Sequence, residues 1–567
     1  RRLAHSGALS ALAGHCARHP WRVIVTWLVV IVALGAMNAS FGGKLVDEFK
    51  VPGTDFQKAT DLINAKFGAQ KGSALRVVLA APEGQRLDTP ERRAAVERML
   101  AASAVSQRQV DEDQRDVTPP KNPLAAGSTT FSEDGRIAFF DVQYDRQAFD
   151  LERSDVVKLE DALQAAGAPA GIQVEFTGEA EQPEPEQGVS ELLGIIAAFL
   201  ILLVLFRALV PTLIPIVFAI VAVFSAFLLL FLAAALTNFN TVTQILVPMI
   251  GLGVGIDYTL FIVTRFRQLL HDGLTPREAA AAAGATAGRA VIFAGLTVAI
   301  SITGLGLIGI DFITKLGLGS ALGVVTAVAL AITMLPAILA MLGHRIDKGR
   351  LGMKPLDESR EGQARTPVAA WGRFVSRRAR FVLPAAIAII LILASPVLSS
   401  RLGLADAGTA PKDQTTRKAY DLLSQGFGPG FTSPIPVVID LQGDPGVAAR
   451  LDAVMRQVPG VSQVEQPLYN AKTPDQASVA IINAYSAYAP QDQKTDDIVS
   501  ALRDDVIPRV LAGSDARAYV SGQNAAFTDI GNKILDGVPW FLLYVIGITF
   551  LVLAMAFRSL VVAIKAS

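Results

Sequence analysis

The chain has 567 residues, and its 51 Lys and Arg are balanced by 51 Asp and Glu. Zero net charge argues against a general nucleic-acid binder, which needs a basic surface to displace counterions from phosphate. Hydrophobic residues make up 51% and charged residues only 18%, too oily for a soluble chain, so the composition is that of a membrane protein.

In chain order, apolar stretches long enough to cross the hydrocarbon layer fall near 23–41, 189–206, 209–232, 241–264, 290–310, 318–342, 381–399 and 538–557. No secretory cleavage pattern precedes the first, which reads as a retained anchor. The chain therefore divides into a short cytoplasmic tail with the first span (1–41), a polar segment (42–187) and a bundle of five spans (188–342). A basic linker (343–380), a seventh span (381–401), a second polar segment (402–536) and an eighth span with the end of the chain (537–567) follow. Cys16 is the one cysteine, so a domain outside the cytosol must be held by its own core.

Positive residues set the orientation. With the N-terminus in the cytosol, Arg18, Arg22, Arg207, Arg265, Arg267, Arg345, Lys348, Arg377, Arg378 and Arg558 all fall inside, while the loop 233–240 carries no Lys or Arg. Both long polar segments then lie outside the plasma membrane.

Each polar segment reads as a small α/β domain. The first has strands at Leu75–Ala80, Ile137–Tyr144 and Ile172–Phe176 with helices near 90–103 and 151–166. The second has strands at Ile435–Leu441, Ser478–Ala484 and Ala518–Ser521 with helices near 446–457 and 495–511. The order repeats, and so does the membrane part. Phe206-Arg207 aligns on Phe557-Arg558 at an offset of 351, and Phe67-Gly68 on Phe427-Gly428 at 360. On either offset the second copy is incomplete, about four spans short.

The sharpest chemical signal is Gly251-Leu-Gly-Val-Gly-Ile-Asp-Tyr258 in the fourth span. A carboxylate at that depth costs about 2.5–3.5 kcal/mol, so Asp257 is a proton-carrier candidate, with Tyr258 beside it as a donor to a carboxylate on a neighbouring span. Gly251, Gly253 and Gly255 are read as helix-packing positions near it. A glycine-rich run signals dinucleotide binding only after a strand, and here it lies in a span.

Weaker candidates are Thr297, Ser301 and Thr303, relay hydroxyls in the fifth span that otherwise bond their own helix. Glu179, Glu181, Glu184 and Glu186 form an acidic outer flank that needs no function, and Asp311 lies at an outer helix end. His15, Cys16 and His19 are too superficial a grouping for a metal site. No HExxH, Walker A motif or nucleophile elbow appears.

His19-Pro-Trp-Arg22, Phe41-Gly-Gly-Lys44, Met249 to Tyr258, Arg265-Phe-Arg267 and Thr286 to Thr297 together resemble the MMPL family of the resistance-nodulation-division (RND) superfamily, in its actinobacterial form. The resemblance implies a polytopic α-helical membrane protein with two extracytoplasmic α/β porter-like domains and a two-fold internal repeat, here incomplete in its second copy. It further implies proton-driven export of lipids or other hydrophobic compounds across the bacterial plasma membrane. Asp257 and Tyr258 would form one half of the proton relay, the other falling near position 608, beyond Ser567. The expected coupling ion is the proton, with no cofactor or metal and no enzymatic activity. Expected partners are a hydrophobic substrate, membrane lipids, and a second copy or cell-envelope proteins. An accessory factor for protein secretion and a lipid-sensing receptor are the alternatives.

Overall fold

The computed structural model describes residues 8–45, 50–67, 73–110, 119–144, 146, 151–181, 189–349, 367–399 and 406–566. Glu184 and Glu186, and positions 350–366 of the basic linker, lie outside the described residues.

The elements run α1 (Ala8–Arg18), α2 (Pro20–Phe41), α3 (Asp55–Lys66), β1 (Ser73–Ala80), α4 (Pro90–Val110), β2 (Ile137–Tyr144), α5 (Arg153–Gly167) and β3 (Gln173–Thr177). Then come α6 (Val189–Phe206), α7 (Leu209–Ala234), α8 (Val242–His271), α9 (Pro276–Thr303), α10 (Asp311–Leu342), α11 (Pro367–Arg377) and α12 (Ala379–Ala394). The last third holds α13 (Thr415–Phe427), β4 (Ile435–Asp440), α14 (Gly446–Met455), β5 (Val461–Val464), β6 (Leu468–Tyr469) and β7 (Val479–Ser486). It closes with α15 (Gln493–Ala501), α16 (Ile507–Leu511), β8 (Arg517–Val520), α17 (Gln523–Phe557) and α18 (Leu560–Ala566). The chain forms two compact units: 1–50, 188–401 and 533–567 make a helical unit, and 51–187 with 402–532 make an α/β unit.

Among the described residues of the helical unit, seven helices are long and apolar enough to cross a membrane. The apolar part of α6, Leu192–Phe206, is shorter. The span expected at 290–310 begins much earlier, because Thr275 and Glu278 form a reciprocal capping box and Pro276 takes the first helical position. The last span likewise belongs to a helix that starts at Gln523, well before 537.

Helices α7 to α10 pack on one another around Phe218, Ile262, Phe266, Leu330 and Leu335. Trp27 Nε1 donates to Thr333 Oγ1 at 2.9 Å, which fixes α2 on α10. The N-terminal tail is a packed helix instead of a loose segment: Ala13, Cys16 and Ala17 of α1 are buried, and a Cβ on Gly284 of α9 would stand 2.8 Å from the Ala13 methyl. Asp311 opens α10 and pairs with Lys315 at 2.7 Å.

Arg207 and Arg558 both take left-handed backbone, at φ +53° and +50°. Each follows a Phe at a helix end and precedes a new helix two residues on. A non-glycine residue pays about 1–2 kcal/mol for that conformation, so the same expensive turn stands at both aligned positions.

The α/β unit contains two antiparallel sheets, ordered β2-β1-β3 and β5-β7-β4-β8, with β6 paired to β7. In each, the first strand is central and flanked by later ones: Val78 pairs with Phe139 and Glu175, and Val438 with Ile481 and Tyr519. Period-2 alternation gives each sheet two apolar faces. One face of the first carries Leu75, Val77, Leu79 and Phe140, covered by Met99 of α4 and Leu159 and Leu163 of α5.

Its other face, Val78, Ala80, Ile137 and Phe139, is covered by Ala419, Leu422 and Leu423 of α13, from the second polar segment. Reciprocally, Val438, Val479 and Tyr519 of the second sheet are covered by Ala59, Leu62 and Ile63 of α3, from the first. The two polar segments are thus not self-contained as bounded at 42–187 and 402–536; they exchange their leading helices. Gly426 permits the close seat of α13, since a Cβ there would come within 3.1 Å of Ile137.

Candidate functional site

Helix α8 carries Pro248 in its second turn and three glycines at alternate positions, so its two sides differ. Gly251 and Gly255 are buried against α7, where added Cβ atoms would lie 3.1 Å from Val223 and 3.0 Å from Ala219. Gly253 lies on the other side, where an added Cβ would meet no atom of the described residues within 4 Å. Two residues along a helix turn the side chain by roughly 200°, which is why alternate glycines part company.

Met249, Gly253, Asp257 and Phe261 follow at four-residue spacing along one exposed stripe. Asp257 therefore sits on the outside of the helical unit in the middle of an apolar helix. Among the described residues it has no hydrogen bond and no ion pair. Tyr258, next in sequence, turns inward and is buried; its ring fills the space that Gly295 of α9 leaves open, 3.1 Å from where a Cβ would be. No hydrogen bond joins Tyr258 to a carboxylate among the described residues, so the two adjacent side chains face different neighbours.

Of the hydroxyl candidates, Thr297 and Thr303 bond their own helix, and Thr303 also reaches a neighbouring one. Thr297 Oγ1 donates to the Phe293 carbonyl at 2.7 Å, and Thr303 Oγ1 to that of Ile300 at 2.6 Å, with the Tyr544 hydroxyl 3.4 Å away. No hydrogen bond links Thr297 or Ser301 to Asp257 among the described residues. His15 and His19 bring their rings to 5.0 Å, with Cys16 buried between them in sequence. Among the described residues no group of three His, Cys, Asp or Glu is placed to hold a metal ion.

A carboxylate cluster in the α/β unit includes Glu181, read from the sequence as part of an acidic flank, and Glu160, which was not singled out. Arg153 of α5 grips Glu160, one side of the same helix two turns on, at 3.0 Å, and Glu181 beyond β3 at 2.6 Å. The guanidinium reaches both oxygens of each carboxylate, and Glu160 and Glu181 are only 9% and 6% exposed. Burial, then the hydrogen bond and charge of Glu181, push the Glu160 carboxyl up to about 8 against the pull of Arg153. In the other half Arg503 pairs with Asp529 at 2.6 Å, and Asp529 also accepts from the Phe56 backbone N–H of α3 at 3.3 Å. Spacings of seven and 28 residues carry no local sequence signal for the Arg153 cluster.

The sequence pattern of the MMPL family matches residues 48–382, more than half of the chain and the whole of the Asp257 helix. The chain belongs to the MMPL family. Among its relatives, the membrane protein YdfJ of Bacillus subtilis is 32% identical over 99% of this chain and 75% of its own length. The mycolic acid-containing lipids exporter MmpL11 of Mycolicibacterium smegmatis is 26% identical over 97% of this chain, which spans 57% of that protein. The heme uptake protein MmpL11 of Mycobacterium tuberculosis is 25% identical, over 98% of the chain and 57% of its own length. As an MMPL protein with several apolar helices, the chain is a membrane protein from a family of transporters.

Proposed function

We propose that this MMPL protein exports lipids or other hydrophobic compounds across the bacterial plasma membrane, driven by protons that Asp257 carries and Tyr258 helps relay. The observation that carries the reading is a carboxylate on the exposed stripe of an apolar helix, with no ion pair among the described residues. In hydrocarbon the ionised form costs about 2.5–3.5 kcal/mol and protonation removes that cost, so gain or loss of one proton would bias how α8 sits against a helix brought up to that side. Alternate packings of α8 on that helix would shift the helical unit between two states.

The matching left-handed turns at Arg207 and Arg558, and the shared strand order of the two sheets, support a repeated module of helices plus an α/β lobe. The clustering of Arg and Lys at alternate helix ends supports lobes outside and an N-terminus inside. With α3 and α13 exchanged, the lobes would respond to the helices as a pair. For cargo, the lipid-exporter name of the M. smegmatis relative supports a lipid over a polar solute.

The test is movement of a fluorescent fatty-acyl lipid in proteoliposomes under an imposed pH gradient, with heme run in parallel. Gradient-dependent lipid movement that an uncoupler abolishes is the expected result. Lipid movement indifferent to the gradient, or gradient-driven movement of heme alone, overturns the proposal.

A further inference from the structure

Apolar cover alone does not choose a helix for either sheet of the α/β unit. Helix α3 presents Ala59, Leu62 and Ile63, and α13 presents Ala419, Leu422 and Leu423. These are the same positions at an offset of 360, which also relates the helix starts, Asp55 and Thr415, and Val78 to Val438 on the central strands. The hydrophobic effect is non-directional, so either stripe gains about as much on either sheet. A closed arrangement, with each helix on the sheet of its own polar segment, would bury the same kinds of side chain as the exchanged one.

The difference lies at the helix starts. Thr415 Oγ1 donates to Glu175 Oε2 at 2.7 Å and accepts from the Phe176 backbone N–H at 2.8 Å. Glu175 stands on β3 opposite Val78, so it shares the face that α13 covers; it is 7% exposed, and its other oxygen accepts from the Gln173 side chain at 3.0 Å. A carboxylate there meets the free N–H groups and the positive end of the α13 dipole. In the second sheet the residue opposite Val438 is Tyr519, and the acid comes instead from the arriving helix. Asp55 Oδ2 lies 3.9 Å from Arg503 Nε, whose guanidinium also holds Asp529. Lys58 and Lys418 stand at the same place in each helix and so do not distinguish them.

Closing the segments would bring the wrong charges together. Asp55 would take the place of Thr415, setting two carboxylates against each other at the buried Glu175, and Arg503 would face a threonine. We propose that the pairs Thr415–Glu175 and Asp55–Arg503 decide which sheet each helix covers. The first admits a hydroxyl and refuses a carboxylate; the second attracts one. Discrimination by a repulsive element beside an attractive one is how near-identical partners are told apart when their apolar surfaces match. Both pairs lie inside the α/β unit, so the proposal holds whatever the chain transports.

The experiment uses the whole chain in lipid nanodiscs, in a Cys16→Ala background so that only introduced cysteines form disulfides. Ile137→Cys with Gly426→Cys reports the exchanged arrangement, because a Cβ at 426 stands 3.1 Å from the Ile137 Cβ, near the roughly 3.5–4.5 Å of a disulfide. Lys66 is 360 before Gly426, so Ile137→Cys with Lys66→Cys reports the closed one. The parent is expected to cross-link the first pair and leave the second open. Exchanging the two starts, Asp55→Thr with Thr415→Asp, is expected to cut the first yield several-fold and raise the second. Thr415→Asp alone is expected to cut the first yield several-fold, and Glu175→Gln added to it to restore that yield. A first yield unmoved by Thr415→Asp, a loss that Glu175→Gln does not restore, or a folded exchanged-start protein that still forms the first pair as the parent does overturns the proposal; unrestored loss is what a helix start damaged for reasons other than charge gives.

Discussion

Two places in this chain hold carboxylates away from bulk water, and they do so in opposite ways. In the α/β unit, Glu160 and Glu181 are buried but share one guanidinium, that of Arg153. In the helical unit, Asp257 is exposed on an apolar helix and has no hydrogen bond or ion pair among the described residues. The first arrangement compensates its charge on site and ties β3's exit to α5. The second leaves the charge to be settled by a proton or by a facing helix. The contrast separates a carboxylate that holds structure from one with no partner among the described residues, which the proposal makes the proton carrier, and each substitution below attacks one side of it.

The largest effect is expected for Arg153→Ala, which strands two buried carboxyl groups; removing one partner of a buried pair costs about 3–5 kcal/mol. A chemical-denaturation midpoint on the purified protein reads it, and a loss inside the ordinary surface range of about 0.5 kcal/mol would dissolve the contrast. Next comes Gly255→Leu, which drives a side chain into Ala219 of α7 and is expected to cost about 1–3 kcal/mol as overpacking. Gly253→Leu, on the open side, is expected to cost nothing measurable in the same melt; equal losses for the two would mean that Asp257's side is packed after all.

A smaller, pH-dependent effect belongs to Glu160. Its folded carboxyl holds a proton up to about 8, whereas the unfolded one releases it near the ordinary 4.5. Between those values the folded state binds more protons, so stability falls as pH rises through the window and levels off above it. Glu160→Gln is expected to flatten that slope and to stabilise the protein at pH above 8. An unaltered pH profile in melts from pH 4 to pH 9 would show that Arg153 keeps both carboxylates ionised. Asp257→Asn is likewise expected to leave the melt within about 0.5 kcal/mol of the parent, since no partner among the described residues is lost.

Much of this was legible beforehand, for physical reasons that also explain the rest. Ile137–Tyr144 is a strand at the expected bounds because its Ile, Phe, Val and Tyr side chains favour a strand, although burial alternates only from Phe140 onward and Ile137–Phe140 are all buried. The exchange of α3 and α13 was not legible, because an amphipathic helix declares an apolar side without naming the sheet it covers. The two-residue β6 is too short to show a period at all. At the candidate site, four-residue spacing puts 251 and 255 on one side and 253 and 257 on the other, yet all three glycines read alike as packing positions because each is small. The composition could not say which side is packed, since α7 and the lipid are equally apolar neighbours. Arg153 was missed because its second partner comes from beyond β3, after the chain has turned twice.

The central claim is that the uncompensated carboxylate of Asp257 couples proton movement to export. The most direct measurement is gradient-driven lipid movement in proteoliposomes by the parent protein, Asp257→Glu and Asp257→Asn, each shown by its melt to be folded. The account predicts parent activity that is retained in part by Asp257→Glu, which keeps a titratable group, and reduced to the level of empty vesicles by Asp257→Asn. Undiminished gradient-driven movement by a folded Asp257→Asn protein would contradict it.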